Sequence, residues 1–278
     1  MIVSNNNRMD TPFFSIIIPS FNSERTMRVL FESLRKQSFA NFEAIVIDGV
    51  SNDNTLSILS EYQNKLENIR IISEKDEGIY DAMNKGIALA KGKWLYFIGC
   101  DDFLQDEEVL QKVYEIISTR LDSPDIVYGN VYTTAQQSGT VPIIYGGEYS
   151  KEMLAEKNIC HQSMFFNRTL FARMGNYNIN YKANADWDFN IKCFYSDNVK
   201  TCFIDEVIAT WASGGFSTVY YDKLFKQAKP WLIGILSKKE VSFGYKITLI
   251  RRQFTWKLID RKYRLAFAFL IKDAYKIF

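Results

Sequence analysis

The chain is poor in the residues from which zinc and redox sites are built. It contains four cysteines and one histidine in 278 residues, with no CxxC pair and no zinc-like spacing to His161. This pattern gives no indication of a structural zinc site and favours a reduced, cytosolic setting. No GxGxxG follows the first strand-like segment, which argues against a dinucleotide-dependent dehydrogenase.

Long apolar runs and a secretory leader are also missing. No stretch approaches the roughly 18 uninterrupted apolar residues of a membrane span, and the longest candidate near the end covers residues 265–271. The opening MIVSNNNRMDTP has neither a basic start followed by an apolar core nor a small-residue cleavage site. We therefore expect no secretory signal and no bilayer-spanning helix.

What is present describes a globular chain with one unusual end. The sequence is 47% hydrophobic and 24% charged, which excludes a disordered or fibrous chain and allows a substantial core. The net charge of +2 is unevenly distributed, because residues 223–278 carry +11 and residues 1–222 carry −9. An acidic body and a basic tail are expected to have different roles.

Strand-like and helix-like segments alternate through the first half of the chain. Hydrophobic runs predict strands at 13–18, 42–47, 69–72, 94–98 and 126–131, and periodic segments predict helices at 23–36, 54–64, 79–90 and 107–119. Four such βα units predict a parallel sheet with helices on both faces. After residue 131 this alternation of strands and helices ends. Residues 133–160 indicate irregular or short antiparallel structure, and a helix at about 186–195 precedes two short strands at 201–204 and 207–211.

Two adjacent carboxylates, Asp101 and Asp102, follow the fourth predicted strand. Neighbouring acids are costly unless a positive group lies beside them, so the pair indicates a hard divalent cation with oxygen ligands. Ligands of open parallel sheets bind beyond the carboxyl ends of strands, where Asp48 should also lie. An ordinary acidic turn before a helix explains the pair equally well.

Several linked blocks then carry a family resemblance. They are FSIIIPSFNSE, AIVIDGVSNDNT, SEKDEGIYDAMNKGIALAKGKWLYFIGCDD, NADWDF and GGFS. Over about residues 13–217 the chain resembles inverting family 2 glycosyltransferases of the GT-A fold, especially those of bacterial surface polysaccharides. The resemblance implies an α/β fold with a Rossmann-like, mostly parallel central sheet flanked by helices. It implies a catalytic domain at 1–221, with a nucleotide-binding half at about 13–132 and an acceptor half at about 133–221.

The same resemblance assigns roles to individual residues. It implies that Asp102 binds Mn²⁺ or Mg²⁺, that Asp101 contacts the ribose or reaches the metal through water, and that Asp186, in preference to Asp188, is the general base. The remaining nucleotide-binding candidates are Pro19, Ser20, Phe21, Asn22, Asp48, Asp76 and Lys85. Cys100 and Ala185 stand where relatives often have acids.

Each assignment has an ordinary structural alternative. Asp48 would also suit an Asx turn, Lys85 a solvated helix face, and Asp186 or Asp188 a helix N-cap. Candidate acceptor or phosphate contacts are His161, Trp187 and Gly215. For these three residues the alternatives are a structural histidine, a buried aromatic side chain and a plain turn.

The basic end, residues 222–278, interleaves lysine and arginine with aromatic residues. This composition predicts amphipathic helices that lie on an anionic membrane surface, where a lipid-linked acceptor would be found. Nucleic-acid binding is the weaker alternative, because no DNA- or RNA-binding module accompanies the tail. Packing on the catalytic body or on a second subunit, as in a homodimer, is the third.

These observations together predict an enzyme. We expect an inverting glycosyltransferase that moves a sugar from a nucleotide-diphosphate donor, UDP-linked by the resemblance, to a hydroxyl of a lipid-linked glycan. The expected location is the cytoplasm, peripheral to the inner face of the cell membrane. The alternative is a non-catalytic nucleotide- or sugar-binding protein on the same fold.

Overall fold

The computed structural model describes residues 11–134, 143–212 and 220–237. Within these residues the chain forms one sheet of nine strands, with helices packed on both faces. The elements in chain order are β1 (Phe14–Ser20), α1 (Met27–Arg35), β2 (Phe42–Asp48), α2 (Thr55–Gln63), β3 (Ile69–Ser73), α3 (Ile79–Leu89), β4 (Trp94–Phe97), β5 (Phe103–Leu104), α4 (Val109–Thr119), β6 (Ile126–Thr134), β7 (Ile143–Tyr145), α5 (Lys151–Glu156), a 3₁₀ turn (His161–Ser163), β8 (Met164–Asn167), α6 (Thr169–Met174), α7 (Ala185–Tyr195), β9 (Thr201–Ala212) and α8 (Lys223–Leu236).

The first four long strands form the parallel centre that the sequence predicts. Their order is β3-β2-β1-β4, and all three pairings are parallel. Every residue of β1 is buried, with Ile16 and Ile18 in one core and Ile17 in the core on the opposite face. A strand buried on both faces is apolar throughout, which is why it is conspicuous in the sequence. The strand continues through Pro19, where an end was predicted.

Beyond β4 the sheet is mixed, and several details differ from expectation. Strand β8 lies between β4 and β6 and is antiparallel to both. The two strands predicted at 201–204 and 207–211 are one strand, β9, which pairs in parallel with β6 across a register shift at Asn130. The short β8, α5 and α6 carry too few residues for a readable period, so the sequence pattern did not predict them.

The first helix of the predicted basic tail packs against the same core as α7. Helix α8 begins after Asp222, whose side chain accepts a hydrogen bond from the Phe225 amide. Phe225, Leu232 and Leu236 are buried in the same core as α7. Residues 238–278 lie outside the described residues. In the part of the chain that the structure describes, no helix combines the length and apolar character needed to cross a bilayer.

Candidate active site

The carboxyl ends of the parallel strands place the predicted site along one edge of the sheet. Ser20 at the end of β1 pairs with Asp48 at the end of β2, which pairs in turn with Ser73 at the end of β3. The Cys100 thiol, after β4, donates to the Pro19 carbonyl at 3.5 Å. The loops that carry the nucleotide-binding candidates therefore adjoin one another, as the topology requires.

Asp48 is fully buried at this edge. Its carboxylate accepts hydrogen bonds from the Ser51 amide at 3.0 Å, from the Ser51 hydroxyl, and from the Ser73 hydroxyl at 2.7 Å. The Ser51 contacts match the turn that is the structural alternative for this residue. The Ser73 contact joins Asp48 to the next strand. The nucleotide role of Asp48 stays a prediction.

The two loops after β1 and β2 are held in an unusual backbone conformation. Asn22 and Val50 have φ of 48° and 62°, and the left-handed region is costly for a β-branched residue such as Val50. The Asn22 amide donates to Ser51 Oγ at 2.8 Å, and the Asn22 side-chain oxygen accepts from the Asn52 amide at 2.9 Å. Strain sustained by such contacts is typical of ligand-binding loops.

Gly49 brings two of the nucleotide-binding candidates together. A Cβ at Gly49 would lie 2.7 Å from Asp76 Oδ2 and 3.4 Å from the Phe21 ring. Phe21 is 63% exposed, so its ring is open to a ligand. Lys85 lies on α3, and its ammonium group donates to the Lys75 carbonyl. It also forms ion pairs with Glu74 at 3.0 Å and with Asp81 at 3.4 Å. These contacts favour the solvated-helix alternative for Lys85, and its phosphate role stays a prediction.

The Asp101 and Asp102 carboxylates converge above Gly99. A Cβ at Gly99 would lie 2.7 Å from Asp101 Oδ1 and 3.0 Å from Asp102 Oδ2. Asp102 is 2% exposed, and its Oδ2 accepts from Gln162 Nε2 at 2.5 Å. Two carboxylates that meet over a side-chain-free position fit a cation that takes its other ligands from water and a phosphorylated substrate. No group of three or more His, Cys, Asp or Glu side chains suited to a metal occurs among the described residues.

The amide of Gln162 has a defined orientation. Its Oε1 accepts from the Cys160 thiol at 2.8 Å, so its NH₂ group faces Asp102. Burial raises the pKa of the Cys160 thiol well above its usual range, which keeps this donor protonated. Sequence reasoning did not select Gln162; the only signal was its position beside His161.

Asp186 occupies the first turn of α7, where the N-cap is Asn184, so its carboxylate is not a helix cap. It is 6% exposed. Its Oδ1 accepts from the Tyr80 hydroxyl at 2.6 Å and its Oδ2 from Asn158 Nδ2 at 2.7 Å. The other candidate, Asp188, forms an ion pair with Lys192 at 2.9 Å.

Asp186 lines a pocket of about 200 Å³ between the 3₁₀ turn, α7 and β9. The lining residues are Tyr145, Asn158, Ile159, Cys160, His161, Gln162, Ala183, Asn184, Asp186, Trp187 and Trp211. Asp188 is absent from this lining. The pocket therefore favours Asp186 over Asp188 as the candidate base, and this role of Asp186 stays a prediction.

His161 lies beside Asp186 in this pocket. Its Nδ1 is 3.8 Å from Asp186 Oδ2, and its buried Nε2 has no hydrogen-bond partner among the described residues. Burial lowers the pKa of His161, against the opposing effect of Asp186 and Asp101, so the ring is neutral at pH 7. A neutral imidazole with an open nitrogen suits contact with a polar ligand.

Of the other two candidates for acceptor or phosphate contact, Trp187 and Gly215, only Trp187 lies among the described residues. The Trp187 indole donates to the Leu154 carbonyl at 2.7 Å, and the Lys229 ammonium lies 4.0 Å from its ring centroid. The side chain is buried, which favours the packing alternative although one edge reaches the pocket. Gly215 lies outside the described residues.

Contacts connect the three key carboxylates. Asp48 is joined to the end of β1 by strand pairing, and β1 to the Asp101–Asp102 loop through the Cys100 thiol. From Asp102 the contacts continue through Gln162 to the 3₁₀ turn, whose His161 faces Asp186. The partners Tyr80 and Asn158 were missed: Tyr80 lies inside a recognised block, whereas no pattern marked Asn158.

Comparison with known proteins gives a matching family model and named relatives. The family model described as glycosyl transferase family 2 matches residues 15–179. A protein of Mycobacterium bovis, named PGL/p-HBAD biosynthesis glycosyltransferase, is 38% identical over 225 residues, which cover 80% of this chain and 86% of the relative.

Solved structures show the same fold at low identity. TarS 1–349 of S. aureus in complex with UDP-GlcNAc superimposes with a TM-score of 0.66 at 21% identity, covering 80% of this chain and 66% of that one. The mannosyltransferase PcManGT of Pyrobaculum calidifontis, in complex with GDP-Man and Mn²⁺, has a TM-score of 0.56 at 15% identity, covering 96% and 87%. These likenesses confirm the predicted GT-A fold of the catalytic body.

Proposed function

Because the chain belongs to glycosyl transferase family 2 and is a glycosyltransferase, we propose that it moves a sugar, with inversion, from a UDP-linked donor to a hydroxyl of a lipid-linked glycan. The observation that carries the proposal is the position of Asp186, in a pocket that also contains Gln162, the hydrogen-bond partner of Asp102. The proposed base thus lines the same pocket as the residue that contacts Asp102, the proposed metal ligand.

The chemistry assigned to Asp186 is general-base catalysis. An acceptor hydroxyl in the pocket would give its proton to the carboxylate as its oxygen bonds to the anomeric carbon, while the bond from that carbon to the diphosphate oxygen breaks. The electron pair of the broken bond leaves with the nucleoside diphosphate. Attack opposite the departing group inverts the anomeric configuration.

Donor recognition is assigned to the edge formed by the β1 and β2 loops. Asp48 would accept a hydrogen bond from the uracil ring, and the exposed Phe21 would cover the nucleoside together with Pro19, Ser20 and Asn22. A UDP-linked donor is supported by the fold likeness to TarS with UDP-GlcNAc.

The acid pair is assigned to a divalent cation. The convergence of Asp101 and Asp102 above Gly99 fits such an ion. When bound, Mn²⁺ or Mg²⁺ would neutralise negative charge that develops on the diphosphate. Gln162 would hold Asp102 in place from the acceptor side.

Two observations support a lipid-linked acceptor and a membrane-surface location. The mycobacterial relative is named for PGL/p-HBAD biosynthesis, and residues 223–278 carry a net charge of +11. A basic, aromatic tail is suited to an anionic inner leaflet, so a peripheral cytoplasmic position belongs to the proposal.

The test compares Asp186→Asn with Asp106→Asn, an exposed acid paired with Lys112 at 3.3 Å. With UDP-sugars as donors, Asp186→Asn is expected to lower kcat by about 10²- to 10⁴-fold, whereas Asp106→Asn should match the wild type. Excess EDTA should abolish UDP release, and manganese should restore it. Full turnover by Asp186→Asn, or turnover that resists chelation, would contradict the assigned base or the assigned cation. Retention of the anomeric configuration in the product would contradict inversion.

A further inference from the structure

Asp186, the carboxylate of the pocket, is held by a pair of side-chain amides that have no role in the reaction proposed above. Asn158 donates through Nδ2 to Asp186 Oδ2 at 2.7 Å, and its Oδ1 accepts from Asn190 Nδ2 at 3.0 Å. Asn190 is on the same helix as Asp186, one turn later, and is 1% exposed. Charge on Asp186 therefore sets the direction of two successive amide groups.

The direction of this relay follows from donor and acceptor chemistry. An ionised carboxylate only accepts hydrogen bonds, so Asn158 must present its NH₂ group to Asp186 and its oxygen to Asn190. Asn190 must then present its own NH₂ group. Its Oδ1 is consequently left buried with no hydrogen-bond partner among the described residues. A buried acceptor without a partner costs free energy, and such groups in folded proteins call for an explanation.

The backbone of Asn158 is fixed as well. Its carbonyl accepts from the Tyr145 hydroxyl at 2.6 Å and from the Tyr149 hydroxyl at 3.0 Å. The opposite carboxylate oxygen, Asp186 Oδ1, accepts from Tyr80, whose pKa is raised well above its usual range by burial and by the charge of Asp186. Tyr80 therefore remains a donor at every working pH. Each oxygen of Asp186 therefore has one fixed donor, Tyr80 or Asn158. The lone pairs still available to a substrate are those that do not face these two donors.

We propose that Asn158, oriented by Asn190, is a positioning residue that aims the free lone pair of Asp186 at the acceptor hydroxyl. The inference rests on the proposed function, because it gives Asp186 its role as base. Protonation on the lone pair that faces Asn158 would require both amides to turn over. The relay thus directs the incoming proton to the side of the carboxylate that faces the pocket, and the unpartnered oxygen of Asn190 is the structural cost of that direction.

Asn190→Leu separates positioning from folding. The substitution removes the buried oxygen without a partner, but it also removes the donor to Asn158 Oδ1, so Asn158 is free to turn its amide over. We expect a Tm close to that of the wild type, together with a kcat lowered about tenfold and a donor KM within about threefold, since the loss is confined to the transition state. A merely structural role would instead lower the Tm and leave kcat unchanged for the folded fraction.

Asn158→Asp is the stronger variant, because a carboxylate then faces Asp186 in place of a donor. We expect kcat to fall about 100-fold, within the range of general-base effects. Asn64→Asp is the matched control, the same chemical change at the exposed end of α2, and should leave kcat unchanged. The assay measures UDP release from UDP-sugars with p-nitrophenyl glycosides as acceptors.

A double-mutant cycle decides the mechanism. In an Asp186→Asn background, Asn190→Leu should change kcat by less than about twofold, because the base that it serves is gone. An undiminished tenfold loss in that background would overturn the relay. A wild-type kcat in both Asn158→Asp and Asn190→Leu would also overturn the relay. If Asp186→Asn were inactive in the same assay, the proposed function would still hold. Turnover by Asp186→Asn itself overturns both.

Discussion

The proposed nucleotide-binding half and the proposed acceptor half hold their key carboxylates in different ways. Asp48 has one partner in its own turn, Ser51 three residues on, and a second, Ser73, at the end of the adjacent strand 25 residues on. Asp186 depends on Tyr80, which is 106 residues away, and on Asn158, which is 28 residues away. Asp48 is therefore held by its own turn and by strand pairing, whereas Asp186 is held by side chains of elements that meet only through tertiary packing.

Surface exposure follows the same division. At the donor edge Phe21 and Val50 are 63% and 54% exposed, which leaves apolar surface for a ligand to cover. In the acceptor half every residue from Ala185 to Phe194 of α7 is buried, including four polar or charged side chains. The proposed donor edge thus exposes apolar side chains, whereas α7 of the proposed acceptor half is buried in the core.

The largest expected effect concerns the buried charges of α7, which we expect to contribute to the stability of the fold. Asp188 and Lys192 form an almost fully buried ion pair on α7, so Lys192→Met leaves a buried carboxylate without its main counter-charge. The free energy of unfolding should fall by about 3–5 kcal/mol, as measured by urea denaturation.

The matched variant lies in the donor half. Lys112→Met breaks two exposed pairs, with Asp106 at 3.3 Å and with Glu206 of β9 at 3.5 Å, and should lower the free energy of unfolding by less than about 1 kcal/mol. Equal losses in the two variants would show that the halves do not differ in this respect. Asp188→Leu combined with Lys192→Met should recover most of the stability.

A smaller effect is expected at the donor edge, where the contacts are local hydroxyl groups. Asp48→Asn keeps the size of the side chain: its oxygen can still accept from the Ser51 amide and the Ser73 hydroxyl, and the Ser51 hydroxyl can turn to accept from the new NH₂ group. Stability should change little. The Kd for UDP should rise roughly 10- to 100-fold, because a hydrogen bond to a charged group contributes about 1.5–3 kcal/mol.

Calorimetric titration with UDP measures this change, and Ser73→Ala is the control. That variant removes one partner of Asp48 but not its charge, so the Kd should rise less than in Asp48→Asn. Unchanged UDP affinity in Asp48→Asn would favour the turn interpretation of this residue over its nucleotide role.

The same division explains how much could be predicted from the sequence. Strands such as β1 are apolar on both faces, and α1 buries Met27, Leu30, Phe31 and Leu34 on one face, so the donor half has readable periods. Its site residues follow these strands directly, and topology alone places Asp48 near Asp102. The position of Asp186 at the start of a helix was also predictable.

The rest could not be read in this way. Strand β8 has four residues and is inserted between β4 and β6, a pairing that depends on contacts distant in the chain. Asn158 falls in a segment without a period, yet one side-chain hydrogen bond joins it to the candidate base. Polar residues that meet only through tertiary packing are not marked by any regular spacing in the sequence. For this reason Gln162 and Asn158 were missed.

The smallest expected effect concerns the single histidine, which the acceptor half buries. Burial lowers the pKa of His161 in the folded protein, although Asp186 and Asp101 face it and act in the opposite direction. The unfolded chain, with a histidine pKa of about 6.5, therefore takes up this proton at a higher pH than the folded chain does. Stability contributed by neutral His161 is present above that pH and is lost as the pH falls through it.

His161→Gln should remove this dependence. Between pH 7.5 and pH 5.5, roughly the range around the unfolded histidine pKa, we expect the Tm of the wild type to fall more than the Tm of His161→Gln, as measured by differential scanning calorimetry. The difference should be smaller than the effects of Lys192→Met and Asp48→Asn, because one partly exposed ring is involved. Since the chain has no other histidine, an equal or steeper fall in the variant would mean that the two carboxylates outweigh burial. The acceptor pocket would then hold a protonated imidazole, and its electrostatics would resemble those of the donor edge more closely than the structure indicates.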